Sequence, residues 1–252
     1  MIPVSIQAGL WGLLAGGALV VGAAVAYWVS MPTRLVAGIM AFGSGVLIAA
    51  LSFELVRPAY EMGGFLWATL GFIAGALIYC AANWLLAHHG AKHRKRSGEQ
   101  LSEDGGSGGG GTAIAVGALI DGIPESMAIG LTLLHGGGVS IAAVVAIFIS
   151  NLPEGLSSAS GMKKAGRSAT YIFGLWFGIA VASGMAALLG YSLFKNLSHG
   201  VIAATTSLAA GGILAMLVET MIPEAFEGSR DLAGLEACAG FVVACGIGIL
   251  GG

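Results

Sequence analysis

Apolar runs of membrane-spanning length alternate with short polar turns along the whole chain, at about 5–29, 35–57, 63–87, 112–134, 139–160, 169–194, 200–222 and 232–251. A helix needs about 20 mostly apolar residues to cross the hydrocarbon core, so the pattern predicts an all-α integral membrane protein with eight transmembrane helices. The first run lacks a Lys or Arg before it and is long for a signal segment, so it is expected to be the first helix.

One polar segment interrupts this rhythm. It starts at His88-His89, carries Lys92, His93, Arg94, Lys95 and Arg96, passes an acidic patch and ends in the glycine-rich run 105–111. The expected organisation is therefore helices 1–3 over 1–87, a flexible cytoplasmic loop over 88–111, helices 4–5 over 112–160 and helices 6–8 over 161–252. Clustered imidazoles can collect transition metals loosely, and a solvated basic loop that fixes topology fits the same residues.

Composition strengthens the membrane reading: 56% of the 252 residues are hydrophobic, 10% are charged, and the mean hydropathy is +0.89. The 43 glycines would argue for loops in water, but in lipid small residues let helices approach closely. With the N-terminus outside, nine of the 11 Lys and Arg face the cytoplasm and only Arg57 and Lys195 face out, so both termini are expected to be extracytoplasmic. The net charge of −2 carries no nucleic-acid signature. Cys80, Cys238 and Cys245 lie in or beside apolar runs without C-x-x-C spacing, and are expected to be buried small hydrophobes.

Against this background the buried acids stand out. Asp121-Gly-Ile-Pro124-Glu125 lies in the fourth run and Ser150-Asn151-Leu-Pro153-Glu154-Gly in the fifth. A carboxylate at the centre of a spanning helix costs roughly 2.5–3.5 kcal/mol on insertion scales, and a bound cation offsets that cost. Asp121 and Glu125 share a helix face, as do Ser150 and Glu154, and Asn151 lies beside them. Each proline frees a carbonyl one turn back, at Ile120 and Ile149, adding an oxygen beside the carboxylates.

Two further acids repeat a spacing: Glu54 precedes Pro58 by four residues and Glu219 precedes Pro223 by four. Their runs cross in opposite directions, which predicts an inverted repeat that brings the two Pro-Glu motifs face to face. Glu54 and Glu219 are then candidate relay ligands at the two mouths of a pathway. Glu224, Glu227, Asp231 and Glu236 are expected to be wet loop charges, with Glu224 placed to serve as an exit ligand; His135 and His199 are expected to be solvated. Ser157, Ser158 and Ser160 could line a polar path, although membrane serines often bond a carbonyl one turn back.

With its Pro-Glu motifs in runs 4 and 5, its histidine-bearing loop before them, Gly43-Ser44-Gly45 and Ile222-Pro223-Glu224-Ala225, the chain resembles the ZIP (zinc/iron-regulated-transporter-like) metal transporters. The resemblance implies a 3+2+3 helix arrangement, a transport site between helices 4 and 5, alternating access, import toward the cytoplasm through the cell membrane, and a homodimer. It implies a divalent cargo, with zinc first, and no prosthetic group. The chain departs from the pattern at Asp121, where histidine is usual, at Gly122, where asparagine is frequent, and at Ser150, where histidine or glutamine is common. No acid between Lys163 and Lys195 supplies the sixth-span carboxylate of two-metal members.

The expected metal ligands are Asp121, Glu125, Asn151, Glu154 and Ser150, with Glu54 and Glu219 at the mouths. This oxygen-rich set also suits Mn²⁺ or Fe²⁺. A proton-coupled or organic-solute carrier, or a metal-binding membrane protein that transports nothing, would carry the same acids. The chain has no His-Glu-x-x-His, nucleophile elbow or phosphate loop, so no enzyme activity is expected.

Overall fold

The computed structural model describes residues 2–88, 109–135, 138–164 and 166–251. Among them every regular element is helical: α1 (Val4–Trp28), α2 (Thr33–Ala50), α3 (Arg57–His88), α4 (Gly109–Thr132), α5 (Ile141–Lys164), α6 (Ala169–Phe194), α7 (His199–Met216), α8 (Ile222–Ser229) and α9 (Ala233–Gly251). The helices follow the apolar runs within a few residues, because burying backbone polar groups in lipid demands helix wherever water is excluded. Ser168 starts α6 by accepting the Tyr171 backbone N–H at 3.2 Å.

Among the described residues five helical stretches are long and apolar enough to cross a membrane: Val4–Trp28, Thr33–Leu85, Ile141–Lys164, Ala169–Phe194 and His199–Ser229, with Ala233–Ile249 a shorter apolar helix. The 53-residue stretch from Thr33 joins α2 to α3 through the π-helical segment Leu51–Val56. It breaks at Gly64, whose φ of 77° only a residue without Cβ adopts cheaply. Large apolar side chains such as Leu10, Phe65, Leu77, Trp84, Phe177 and Val242 point outward, and the interior is filled by Ala, Gly and a few large residues around Trp176, Met40, Leu47 and Ile213. That inversion is expected of a protein solvated by hydrocarbon.

α3 reaches His88 and α4 begins at Gly109, so helix extends into both ends of the expected 88–111 loop. The loop's histidines 89 and 93, its basic cluster and the metal-collecting role expected of them lie outside the described residues. His88 itself caps α3, with its Nδ1 2.9 Å from the Trp84 carbonyl oxygen.

One contact recurs at four helix crossings. A Cβ on Gly45 of α2 would lie 1.8 Å from the Ala237 carbonyl oxygen of α9, and one on Gly240 of α9 would lie 2.0 Å from that of Phe42. Gly75 and Gly211 do the same between α3 and α7, against Leu208 and Phe72 at 1.9 and 2.0 Å. Gly22 and Gly155 join α1 to α5, against Leu152 and Leu19; Gly130 and Gly190 join α4 to α6, against Ala187 and Met127. In every case the carbonyl belongs to the residue three before the partner glycine, so each crossing is a reciprocal pair of Cα–H to carbonyl contacts. Small residues were expected to bring the helices close, and they do so in one repeated register.

α2 thus lies along α9 as α3 lies along α7, and α5 lies along α1 as α4 lies along α6. The two π-helical segments, Leu51–Val56 and Leu217–Met221, hold Glu54 and Glu219. Pro58 and Pro223 cannot donate to the carbonyls of those two glutamates, which lets the hydrogen-bond ladder slip by one residue and widen.

Candidate metal site

The two Pro-Glu motifs lie deep in the bundle. Asp121, Glu125 and Ser150 are each 1% exposed, Asn151 3% and Glu154 5%. The glycine crossings cause this burial: Gly130 draws α4 onto α6 one turn after Glu125, and Gly155, next to Glu154, draws α5 onto α1. Pro124 and Pro153 sit inside their helices, so the carbonyls of Ile120 and Ile149 lose their usual helical donors.

α4 and α5 are consecutive but scarcely touch; α4 packs on α6 and α7, and α5 on α1 and α2. On α5, Ser150 lies against Gly43 of α2, where a Cβ would come within 3.4 Å of the Ser150 Cα. On α4, Pro124 lies against Gly212 of α7, at 4.0 Å by the same measure. Among the described residues no three His, Cys, Asp or Glu side chains gather closely enough to hold one ion together.

Four acids of the expected pathway, Asp121, Glu219, Glu54 and Glu224, have a defined polar neighbour. The Tyr79 hydroxyl of α3, itself 3% exposed, donates to Asp121 Oδ1 at 2.6 Å. One turn further along α3, the Asn83 amide donates to Glu219 Oε2. Ser140, just before α5, donates to Glu54 Oε2 at 2.6 Å, and Ser157 donates to Glu224 Oε1 at 2.6 Å. From Ser140 to Ser157 the chain advances about 25 Å at roughly 1.5 Å per residue, so Glu54 meets the start of α5 while Glu224 meets it about one turn beyond Glu154, short of the helix end at Lys164. At the C-terminal end of α5, Lys163 donates to the Tyr27 carbonyl of α1.

Ser150 and Asn151 both donate to backbone carbonyls. Ser150 Oγ donates to the Ile147 carbonyl at 3.0 Å, and Asn151 Nδ2 donates to the Ala15 carbonyl of α1 at 3.1 Å. A bound cation would meet only the remaining lone pairs of their oxygens.

Several sequence expectations change here. Tyr79, Asn83 and Ser140 were not singled out, because single polar residues in or beside an apolar run carry no motif. Glu236 is not a wet loop charge: it is half-buried at the start of α9 and accepts the Ser229 hydroxyl at 2.8 Å. Glu224 is half-buried as well, whereas Glu227, Asp231 and His199 are exposed as expected. None of the three cysteines is a buried hydrophobe, since Cys80 and Cys245 are half-exposed and Cys238 is exposed. All three lie on α3 or α9.

No family model matches this chain. A stretch of 103 residues is 35% identical to the zinc transporter ZIP11 of Bos taurus, and the match covers 37% of this chain and 29% of that protein.

Proposed function

We propose that this chain carries divalent metal cations, zinc foremost, across a membrane through a carboxylate site formed by α4 and α5. The observation that carries the reading is the burial of Asp121, Glu125 and Glu154 on two proline-interrupted helices. Carboxylates so far from water need compensating positive charge, and a divalent ion supplies it while taking oxygen ligands. The partial likeness to a zinc transporter supports the same cargo.

In this reading Asp121, Glu125 and Glu154 are the principal ligands, and Ser150 and Asn151 offer their oxygens. Tyr79 orients Asp121. The Glu54 carboxylate stands at one mouth, and Glu219 and Glu224 at the other. The chain crosses the membrane eight times, with the helices before α4 and after α5 related as an inverted repeat. The matched glycine crossings and the paired π segments of α2 and α7 support that symmetry.

The sparse contact between α4 and α5 supports a moving site. α1 and α6 pack on each other and bridge α5 to α4, so these four helices travel together against α2, α3, α7 and α9, and small shifts within them gather or part the three acids. Access then alternates between the Glu54 end and the Glu224 end. Import toward the cytoplasm and assembly as a homodimer complete the proposal.

Purified protein in proteoliposomes tests it directly. Uptake of Zn²⁺, Mn²⁺, Fe²⁺, Co²⁺, Cd²⁺ and Mg²⁺ is compared with a Glu154→Gln control. Saturable flux of at least one ion that the control abolishes supports the carrier. Flux driven by pH alone that survives complete chelation would instead establish a proton or organic-solute carrier.

A further inference from the structure

The central site lacks soft ligands, yet both ends of the bundle have them. At one end a cavity of about 300 Å³ is lined by Glu54, Cys245, Ala142 and Gly248, with Arg57 on its wall. The Arg57 guanidinium is engaged by Glu61 at 2.9 Å. A Cβ on Gly248 would lie 3.4 Å from Glu54 Oε1, so the carboxylate rests against the face of α9 that bears Cys245 one turn earlier. At the other end Glu219 meets the matching face of α3: Asn83, one turn after Cys80, donates to its carboxylate.

The register is the same at both ends. Cys80 follows the crossing glycine Gly75 by the same interval at which Cys245 follows Gly240. Each glutamate sits in a π-helical segment four residues before a proline, and each meets the paired helix three residues after a cysteine, at Gly248 and at Asn83. A cysteine one turn before the point where a carboxylate meets the paired helix, repeated in one register, is not explained by packing, which needs neither group.

We propose that Glu54 with Cys245, and Glu219 with Cys80, are two equivalent thiolate–carboxylate entry and exit sites for a borderline or soft divalent cation such as Zn²⁺ or Cd²⁺. The inference rests on the reading of the chain as a divalent-metal carrier and names what selects its cargo. On binding, the metal replaces the thiol proton, which leaves to water, and a sulfur–metal bond forms beside the carboxylate oxygen. Ser140 and Asn83 hold their glutamates toward the thiols. Hard ions such as Mg²⁺ gain nothing from sulfur and pass these sites weakly.

The test is metal protection of thiols in the full-length protein in detergent, with N-ethylmaleimide labelling of Cys80, Cys238 and Cys245 followed by mass spectrometry. With Zn²⁺ or Cd²⁺ at about ten times its Kd, Cys80 and Cys245 label about tenfold more slowly, by simple mass action, while exposed Cys238 is unchanged and Mg²⁺ does nothing. Glu54→Gln removes protection at Cys245 alone, and Glu219→Gln at Cys80 alone. Unprotected thiols, or protection that survives both substitutions, would overturn the proposal. If Cys80 and Cys245 resist labelling without metal, sulfur-to-cadmium charge-transfer absorbance must appear and vanish in the C80S/C245S variant; its absence overturns the proposal equally. Protection without any flux would refute the transport reading and leave these sites standing, whereas flux through Glu125 without protection would refute these sites alone.

Discussion

Replacing Gly75 by alanine probes the glycine crossings that hold the bundle together. The new Cβ would lie 1.9 Å from the Leu208 carbonyl oxygen, a backbone atom that no rotamer change can move. Carbon and oxygen in such contacts rest about 3.3–3.6 Å apart, so α3 and α7 must separate by well over 1 Å at the crossing. Separation forfeits the reciprocal Cα–H contacts from Gly75 and Gly211, worth about 0.5–1 kcal/mol each. Residual overpacking adds about 1–3 kcal/mol, so the total loss is expected at about 2–5 kcal/mol. Gly174→Ala is the matched control: nothing lies within 4 Å of a Cβ there, and helix propensity favours alanine by up to about 1 kcal/mol. Reversible unfolding in mixed detergent–SDS micelles measures both. Equal stability of Gly75→Ala and Gly174→Ala would refute the argument that these carbonyl contacts set the helix spacing.

Tyr79→Phe removes the bond that orients Asp121, a bond to a charged group worth about 1.5–3 kcal/mol. The expected result is a roughly tenfold higher KM for metal uptake with the maximal rate little changed and folding stability lower by about that amount; an unaltered KM would remove Tyr79 from the site. Pro153→Ala restores a donor to the Ile149 carbonyl and straightens α5. It is expected to raise stability by about 1–3 kcal/mol in the same unfolding assay and to lower the uptake rate, since a helix interior tolerates proline poorly and the freed carbonyl is lost to the site. Ser157→Ala releases Glu224, which meets α5 one turn beyond Glu154, and is expected to slow efflux of preloaded metal more than its binding, as read by stopped-flow fluorescence of an indicator outside the vesicles.

The helices were legible because exclusion of water leaves the backbone no alternative, so apolar length alone marks where helix must form. The Pro-Glu motifs were legible for the complementary reason: acids such as Glu125 are rare enough in apolar runs to demand an explanation. What could not be read was the third dimension. Period and spacing place Asp121 and Glu125 on one face of α4, but not that Tyr79 of α3 reaches that face, nor that α4 leans on α6 and α7 rather than on α5. The Glu54 and Glu219 spacing to proline was visible, whereas the π-helical segments that spacing produces depend on how the ladder relaxes around the missing donor. The glycines announced close packing but not its register, because each contact is made with a backbone carbonyl that has no identity in the sequence. Cysteine burial was misjudged because α3 and α9 turn part of their surface away from the other helices, which composition does not reveal.

The most direct test of the central claim is Zn²⁺ uptake into proteoliposomes by the wild-type chain, Glu125→Gln and Glu154→Gln side by side, at matched protein content and matched unfolding midpoints. The account expects saturable uptake by the wild type and none by either variant, because amide oxygens keep the shape of the site and lose the charge that holds the ion. Wild-type rates in both variants would contradict it.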